Sequence, residues 1–282
     1  MKNNEAELRW DVEQKLDLIE FRLFWEGHVN RSDLMNQFGI SANQASADLN
    51  RYLGFAPNNM VYDKSARTYV RCSAFDAKFQ KLDKYHYLTQ LRTSFEGLLS
   101  TEDAWIAKLP AFDSAPTPVR GIAPKILRDV VGAINKGEAI EVLYKSLTRP
   151  HAIWRWIAPH AIAYDGFRWH ARAWCEIDGA YKDFVLSRIR KVQNSRAASA
   201  EPCNDLHWNT KIALRIAPHP DLSSGQKDVI AQDYGMQNGS TTILVRKALE
   251  YYALKRLGLD TDPDARRPQD QKIVLIGKEA VS

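Results

Sequence analysis

The chain has 282 residues, of which 45% are hydrophobic and 26% are charged, and its net charge is +5. This length gives room for two or three domains, and the composition is normal for a globular protein. The sequence pI near 9.0 permits a nucleic-acid partner without requiring one. No apolar run approaches the roughly 18 residues that span a bilayer, and the polar N-terminus is not a signal peptide, so we expect no membrane partner.

The three cysteines are far apart and odd in number: Cys72, Cys175 and Cys203. This pattern argues against a disulfide framework and for reduced thiols, so we expect a cytoplasmic protein.

The N-terminal segment is predicted to form a winged helix-turn-helix. Apolar residues at helical spacing predict a first helix over 10–25, and Asn30 is suited to cap a second. Ser41 can open a third helix through a capping box. Two β-rich runs over 60–70 flank a basic tip and predict a hairpin. Three helices, a tight turn and a hairpin are typical of this DNA-binding fold.

The third helix has a polar face suited to reading DNA. It carries Asn, Gln, Ser and Arg, which can pair with base edges in the major groove, whereas a solvated face usually carries Glu and Lys. A small helical bundle that merely exposes a polar face is the alternative. Cations on the hairpin would contact phosphates or the minor groove. The predicted DNA-binding residues are Ser41, Asn43, Gln44, Ser46, Asn50, Arg51, Lys64 and Arg67.

The rest of the chain alternates between helical and β-rich segments. Helices are predicted over 75–99 and 124–136, with a Pro- and Ser-rich linker over 110–118 between them. Four short β-rich runs separated by turn signals then indicate a small barrel or a strongly twisted sheet: 140–147, 153–164, 167–177 and 181–189. After a Ser/Ala-rich spacer over 194–200, mixed strands and helices predict a small α+β domain.

The run FRWHARAWC alternates strictly between two faces. The core face is predicted to hold Phe167, Trp169, Ala171 and Ala173. The opposite face is cationic and aromatic, and it holds Arg168, His170, Arg172 and Trp174. Such a face suits a phosphate-bearing or nucleotide ligand, although pairing with Asp183 and Glu176 or simple solvation is an equal alternative. No phosphate-binding glycine loop, HExxH, GxSxG or zinc spacing occurs, so we predict no catalytic residue, no metal site and no cofactor.

The chain resembles the WYL-domain transcriptional regulators in motifs spread over nearly its whole length. RWHARAW at 168–174 stands where the family has its Trp-Tyr-Leu signature: Trp169 matches, while His170 and Ala171 replace Tyr and Leu. The flanking runs WRWIAPHAI and DFVLSRI are similar to those of repressors that control bacterial anti-phage defence operons. So are the C-terminal runs RIAPHPDLSSGQKDVIAQDYGM and VRKALEYYALKRLGLD.

This resemblance implies an α+β multidomain protein with an N-terminal winged helix-turn-helix, a central Sm-like small β-barrel (the WYL domain) and a C-terminal small α+β domain. We place the winged helix at 1–72, a helical linker at 73–123, the ligand-sensing WYL domain at 124–195 and the C-terminal extension and dimerisation domain at 205–282. The family further implies a homodimer.

The resemblance also implies a basic WYL pocket that senses a nucleic acid or nucleotide. Matched by motif, its candidate residues are Tyr144, Ser146, Arg155, His160, His170, Arg172, Phe184 and Arg188. We expect the four residues Arg155, His170, Arg172 and Arg188 to converge on one cationic pocket. On that basis Arg172→Ala should leave a folded, DNA-binding dimer that no longer responds to its effector.

The function predicted from these observations is a ligand-responsive, sequence-specific DNA-binding regulator. It would repress a phage-defence operon that includes its own promoter, as a homodimer on an inverted-repeat operator in double-stranded DNA. A nucleotide or oligonucleotide is the expected effector. The alternatives are a sensor of single-stranded nucleic acid or nucleotides, or a nucleic-acid-acting enzyme targeted by its helix-turn-helix; of these, we expect no enzyme.

Overall fold

The computed structural model describes residues 10–79, 83–100, 103–115, 118 and 121–281. Parts of the predicted helix (80–82) and linker (101–102, 116–117 and 119–120) lie outside the described residues. The chain divides into two compact units, Met1–Pro116 and Thr117–Ser282. Among the described residues, no helix is long and apolar enough to cross a membrane.

The first unit begins with three helices and a three-stranded antiparallel sheet, in which the strand order is β1-β3-β2. Its first elements are α1 (Trp10–Glu26), β1 (His28–Val29), α2 (Arg31–Phe38), α3 (Ala42–Phe55), β2 (Met60–Asp63) and β3 (Thr68–Arg71). Leu16, Leu34 and Leu49 are fully buried where the helices meet. Gly39 ends α2 in the left-handed region at φ 62, which lets α3 start at once. The predicted winged helix-turn-helix layout is confirmed.

The helix predicted over 75–99 is shorter in the structure. α4 spans Lys84–Phe95, and Asp83 caps its N-terminus. Residues 75–79 are not helical. The apolar side chains in that segment, which suggested a longer helix, instead pack against the core of the three helices.

A buried carboxylate explains why this segment leaves the helical path. Glu20 on α1 is fully buried and accepts hydrogen bonds from the backbone nitrogens of Lys78 at 2.6 Å and Phe79 at 3.0 Å. The hydroxyl of Tyr52 donates to the same carboxylate at 3.1 Å. The backbone N–H groups that a helix would use are therefore held by a side chain far away in sequence.

The central module of the second unit is an antiparallel sheet of order β7-β6-β5-β4-β8, with a helix packed on one face. Its elements are α5 (Pro124–Lys136), β4 (Glu138–Tyr144), β5 (Ile153–Tyr164), β6 (Trp169–Cys175), β7 (Ala180–Val185) and β8 (Ile189–Ala197). In the part of the chain that is described, no ladder joins β7 to β8, so a closed Sm-like barrel is not confirmed. The predicted spacer over 194–200 is largely strand, because β8 pairs with β4 as far as Ala197.

The C-terminal module is a small α+β fold around a sheet of order β10-β9-β11. Its elements are α6 (Leu206–Asn209), β9 (Lys211–Pro218), α7 (Ser224–Asp233), β10 (Thr241–Arg246), α8 (Glu250–Arg256), α9 (Pro268–Gln271) and β11 (Ile273–Val281). Ile216, Ile230 and Ile273 form the centre of its core. The mixed helix and strand content matches the prediction, while the short helices α6 and α9 were not predicted.

Candidate functional site

The exposed side of α3 is polar, as predicted. Asn43 and Asn50 are exposed and lie two turns apart. Ser41 caps the helix, since its hydroxyl accepts from the backbone nitrogen of Gln44 at 3.2 Å. The Ser46 hydroxyl donates to its own helix backbone at 2.9 Å. The predicted DNA-binding residues of α3 therefore divide into outward amides and residues engaged within the helix.

Asp48, which the sequence did not single out, lies beneath this polar surface. Its carboxylate is fully buried and accepts from Nε2 of Gln44 at 3.2 and 3.1 Å and from Nη1 of Arg51 at 3.3 Å. Nζ of Lys15 on α1 lies 3.9 Å from the same carboxylate. The spacing of Gln44, Asp48 and Arg51 along one helix face is a signal that could have revealed this cluster.

The hairpin between β2 and β3 is a tight, basic wing. One oxygen of Asp63 accepts from the backbone nitrogens of Ser65 at 2.8 Å and Ala66 at 3.0 Å. Arg67 follows in the left-handed region at φ 54, and both Arg67 and Lys64 are exposed. A groove of about 450 Å³ separates the wing from the starts of α2 and α3.

Five of the eight predicted effector residues line one pocket of about 300 Å³ in the central module. These five are Tyr144, Ser146, Arg155, Phe184 and Arg188. Arg149 and Lys182, which the motif did not identify, add two further cations, and Asp178 and Asp183 complete the charged lining. The pocket is cationic overall because four basic residues and only two acidic ones line it.

Arg155 lines this pocket and packs against two aromatic rings that contact each other. Its guanidinium carbon is 5.7 Å from the ring centres of both Tyr144 and Phe184. Nη1 donates to Asp178 at 3.3 Å. Within the described part of the chain, its buried Nε has no hydrogen-bond partner. A buried cation with an unused donor is suited to hold an anion.

The other three predicted residues, His160, His170 and Arg172, lie on the opposite face of the sheet. Arg172 donates from Nε and Nη2 to the two oxygens of Asp205 at 2.7 and 2.9 Å. Its Nη1 donates to Asp183 at 3.1 Å. We call the buried group formed by these residues and their partners the junction cluster: His160, Asp165, His170, Arg172, Asp183, Asp205 and Tyr252.

The junction cluster joins the central module to the C-terminal module. Nε2 of His160 is 3.0 Å from Asp205, and the hydroxyl of Tyr252 on α8 donates to Asp183 at 3.0 Å. Burial would raise the pKa of Asp205, but hydrogen bonds from Arg172 and His160 outweigh it and hold that pKa below its usual value. The Asp205 carboxylate is therefore ionised and matched by Arg172.

The predicted convergence of Arg155, His170, Arg172 and Arg188 on one pocket is wrong. Alternation along β6 does bury Ala171 and Ala173, as expected, and it points His170 and Arg172 away from them. Arg155, however, contacts Cys175 and so lies on the core side of the sheet, with the pocket. The predicted core residues Phe167 and Trp169 are 58% and 49% exposed, because they lie at the outer end of the strand.

His170 has its own partner within the cluster. Its Nε2 is 2.9 Å from Asp165, and Arg168 Nε donates to the same oxygen at 2.8 Å. Burial would raise the pKa of Asp165, but the hydrogen bonds from His170 and Arg168 hold it well below its usual value. Among the described residues, no group of three or more His, Cys, Asp or Glu side chains could hold a metal ion.

These three modules define a class of protein: a multidomain transcription regulator that carries an N-terminal winged helix ahead of a central β-sheet module and a C-terminal α+β module. Residues 11–93 match the family model of the BrxR transcriptional regulator winged helix-turn-helix domain. Residues 125–194 match the WYL domain, and residues 211–281 match the BrxR transcriptional regulator C-terminal dimerization domain.

Proteins that match this chain over nearly its whole length lead to the same class. The chain is 32% identical to the DNA-binding transcriptional repressor CapW of Stenotrophomonas maltophilia over 280 residues, which cover 99% of this chain and 94% of that protein. It is 34% identical to CapW of Escherichia coli (strain KTE188) over 276 residues and to CapW of Pseudomonas aeruginosa over 277 residues, in each case 97% of this chain and 91% of the relative. The chain belongs to the CapW family of WYL-domain transcriptional regulators. This is a family of DNA-binding proteins and not of enzymes.

Proposed function

We propose that the protein is a sequence-specific transcriptional repressor of a phage-defence operon that includes its own promoter, and that an effector bound in the WYL pocket controls it. The observation that carries the proposal is the first unit's polar surface, where the outward amides of α3 share one winged helix with the cations of the wing. The repressor function of the CapW relatives supports the direction of control.

A two-fold homodimer on an inverted-repeat operator is part of this proposal. One α3 contacts too few base pairs to select a site in a genome, and doubling the contacts is the usual solution. The match of residues 211–281 to a dimerization domain supports this arrangement. Sedimentation together with footprinting of the upstream region tests it, and a monomer that protects a single half-site would exclude it.

We expect Asn50→Ala and Lys64→Ala to weaken DNA binding in different ways. Loss of a base contact at Asn50 should cost roughly 1–3 kcal/mol on the preferred operator and little on random DNA. Loss of a phosphate contact at Lys64 should weaken both about equally and lower the salt slope by about one. Fluorescence anisotropy on operator and random duplexes at several salt concentrations measures both.

The control for these variants is Lys191→Ala, which removes an exposed cation from β8, outside the winged helix. It should bind both duplexes as the wild type does. If Asn50→Ala and Lys64→Ala bind as tightly as this control, α3 and the wing are not the DNA-binding surface. Competition by unlabelled single strands distinguishes an operator-binding repressor from a sensor of single-stranded nucleic acid, since the sensor would prefer the competitor.

The pocket supports an anionic effector, and we propose a nucleotide or an oligonucleotide. The cations that line it can neutralise phosphate groups through charge-assisted bonds. Asp183 lines this pocket and also accepts from Arg172 and Tyr252. A ligand that shifts Asp183 would therefore act on the junction cluster, and we propose this residue as the coupling between effector and C-terminal module.

Arg188→Ala should keep operator binding but require about tenfold or more effector for release, because a charge-assisted hydrogen bond contributes about 1.5–3 kcal/mol. The matched control is Arg190→Ala, two residues along, which removes an exposed cation that does not line the pocket. The measurement titrates nucleotides and short single strands against the wild-type and variant operator complexes. If no such ligand changes the wild-type complex, the effector assignment fails while the DNA-binding assignment stands.

A further inference from the structure

We propose that Asp48 is a positioning residue for base readout. It fixes the side-chain amide of Gln44 so that the amide oxygen faces outward and accepts a hydrogen bond from an amino group of adenine or cytosine in the major groove. This inference rests on the proposed function, because it assumes that α3 enters the groove. It names the class of base that one position of α3 selects.

Only one orientation of the Gln44 side-chain amide allows it to donate a hydrogen bond to Asp48. Both oxygens of the buried Asp48 carboxylate lie within 3.2 Å of Nε2 of Gln44. An ionised carboxylate only accepts hydrogen bonds, whereas an amide has a donating nitrogen and an accepting oxygen. Turning the amide round would place oxygen against oxygen and leave a fully buried carboxylate without this donor. The nitrogen is therefore held inward and the oxygen outward.

Two cations hold the Asp48 carboxylate in place. Nη1 of Arg51 donates to it at 3.3 Å from the same helix, and Nζ of Lys15 approaches to 3.9 Å from α1. The buried negative charge is thereby compensated, which a buried carboxylate requires. Lys15 also connects the cluster to the helix behind α3, so the position of Gln44 is set by the scaffold and not by the exposed surface alone.

An outward oxygen selects among the four bases by simple complementarity. In the major groove, adenine presents its N6 amino group and cytosine its N4 amino group, both of which donate. Guanine O6 and N7 and thymine O4 only accept, so they would face the Gln44 oxygen without a hydrogen. An unconstrained glutamine could rotate its amide to suit either kind of base. The contacted position should therefore favour adenine or cytosine in the wild type.

The experiment selects preferred duplexes from a randomised pool with the full-length protein and three variants. Gln44 is exposed, so Gln44→Met should fold normally. The operator position at which this variant loses its base preference is the position that Gln44 contacts. At that position we expect wild-type discrimination of about five- to tenfold for adenine or cytosine over guanine or thymine. Asp48→Asn is isosteric and can donate to the Gln44 oxygen, so the amide can reverse, and discrimination should fall below about twofold at this position alone.

Several outcomes would overturn the inference. Guanine or thymine at the Gln44 position of the wild type would do so, as would a folded Asp48→Asn protein with unchanged preference. Should Asp48→Asn fail to fold, as judged by circular dichroism, the wild-type and Gln44→Met selections still decide. If Gln44→Met alters no position while Asn50→Ala does, this inference fails and the proposed function remains. If Asn50→Ala also alters none, the proposed function itself fails.

Discussion

Arg172→Ala should lower the free energy of unfolding of the second unit by about 3–5 kcal/mol, because it would leave buried carboxylates without their cation. Arg172 is 6% exposed and makes a two-pronged contact with Asp205 and a third hydrogen bond to Asp183. This expectation replaces the one from the sequence, in which the same variant stays folded and loses only its effector response. Because Arg172 joins two modules, its replacement should destabilise the fold and not only abolish the effector response.

Urea denaturation at one fixed protein concentration measures this loss, since a dimer's stability depends on concentration. The control is again Arg190→Ala, which removes an exposed cation from the same module and should change stability by less than about 0.5 kcal/mol. A loss below about 1 kcal/mol in Arg172→Ala would mean that the junction cluster does not hold the modules together.

Glu20→Ala should destabilise the first unit by roughly 3 kcal/mol or more. The fully buried carboxylate accepts from the backbone nitrogens of Lys78 and Phe79 and from the hydroxyl of Tyr52. Its removal leaves the buried Tyr52 hydroxyl and two backbone donors without their partner, and each buried donor left unsatisfied costs about 1–3 kcal/mol. Thermal and denaturant unfolding followed by circular dichroism measures the effect, and hydrogen exchange at residues 78 and 79 locates it.

Tyr52→Phe serves as the graded control for Glu20→Ala. It removes the hydroxyl that donates to Glu20 and accepts from Nδ2 of Asn59 at 2.8 Å, and it leaves both backbone hydrogen bonds to the carboxylate, so it should cost about 1–2 kcal/mol. Exchange at residues 78 and 79 should stay slow in this variant. Equal destabilisation by the two variants would show that the backbone contacts contribute little and that packing around Tyr52 dominates.

Much of the first unit was predictable because its signals are local. Helical spacing, the Ser41 cap and the turn after α2 involve residues within a few positions of one another. The segment over 75–79 was not predictable in this way, because the carboxylate that holds Lys78 is 58 residues earlier in the chain. Apolar spacing alone favours a helix there, and only the folded core reveals that its backbone donors are already bonded.

The pocket of the central module and the junction cluster show the same limit. Strand alternation correctly separated Ala171 from Arg172 but could not say what covers the second face. The partner is Asp205, 33 residues further along, and it lies beyond the sheet in the chain. Asp48 escaped notice for a different reason: its spacing from Gln44 and Arg51 indicates that the three side chains meet, but not that the carboxylate is fully buried.

The composition of the junction cluster bears on how such proteins can be recombined. Arg172 and Asp183 come from the central sheet, while Asp205 and Tyr252 come from the chain after it, so the buried Asp205 carboxylate takes its cation, Arg172, from the other module. A chimera cut between them would mismatch buried charges at the seam. We therefore expect the two modules to be inherited together. Chimeras that exchange the winged helix between relatives should be joined ahead of α5, where the junction cluster stays intact.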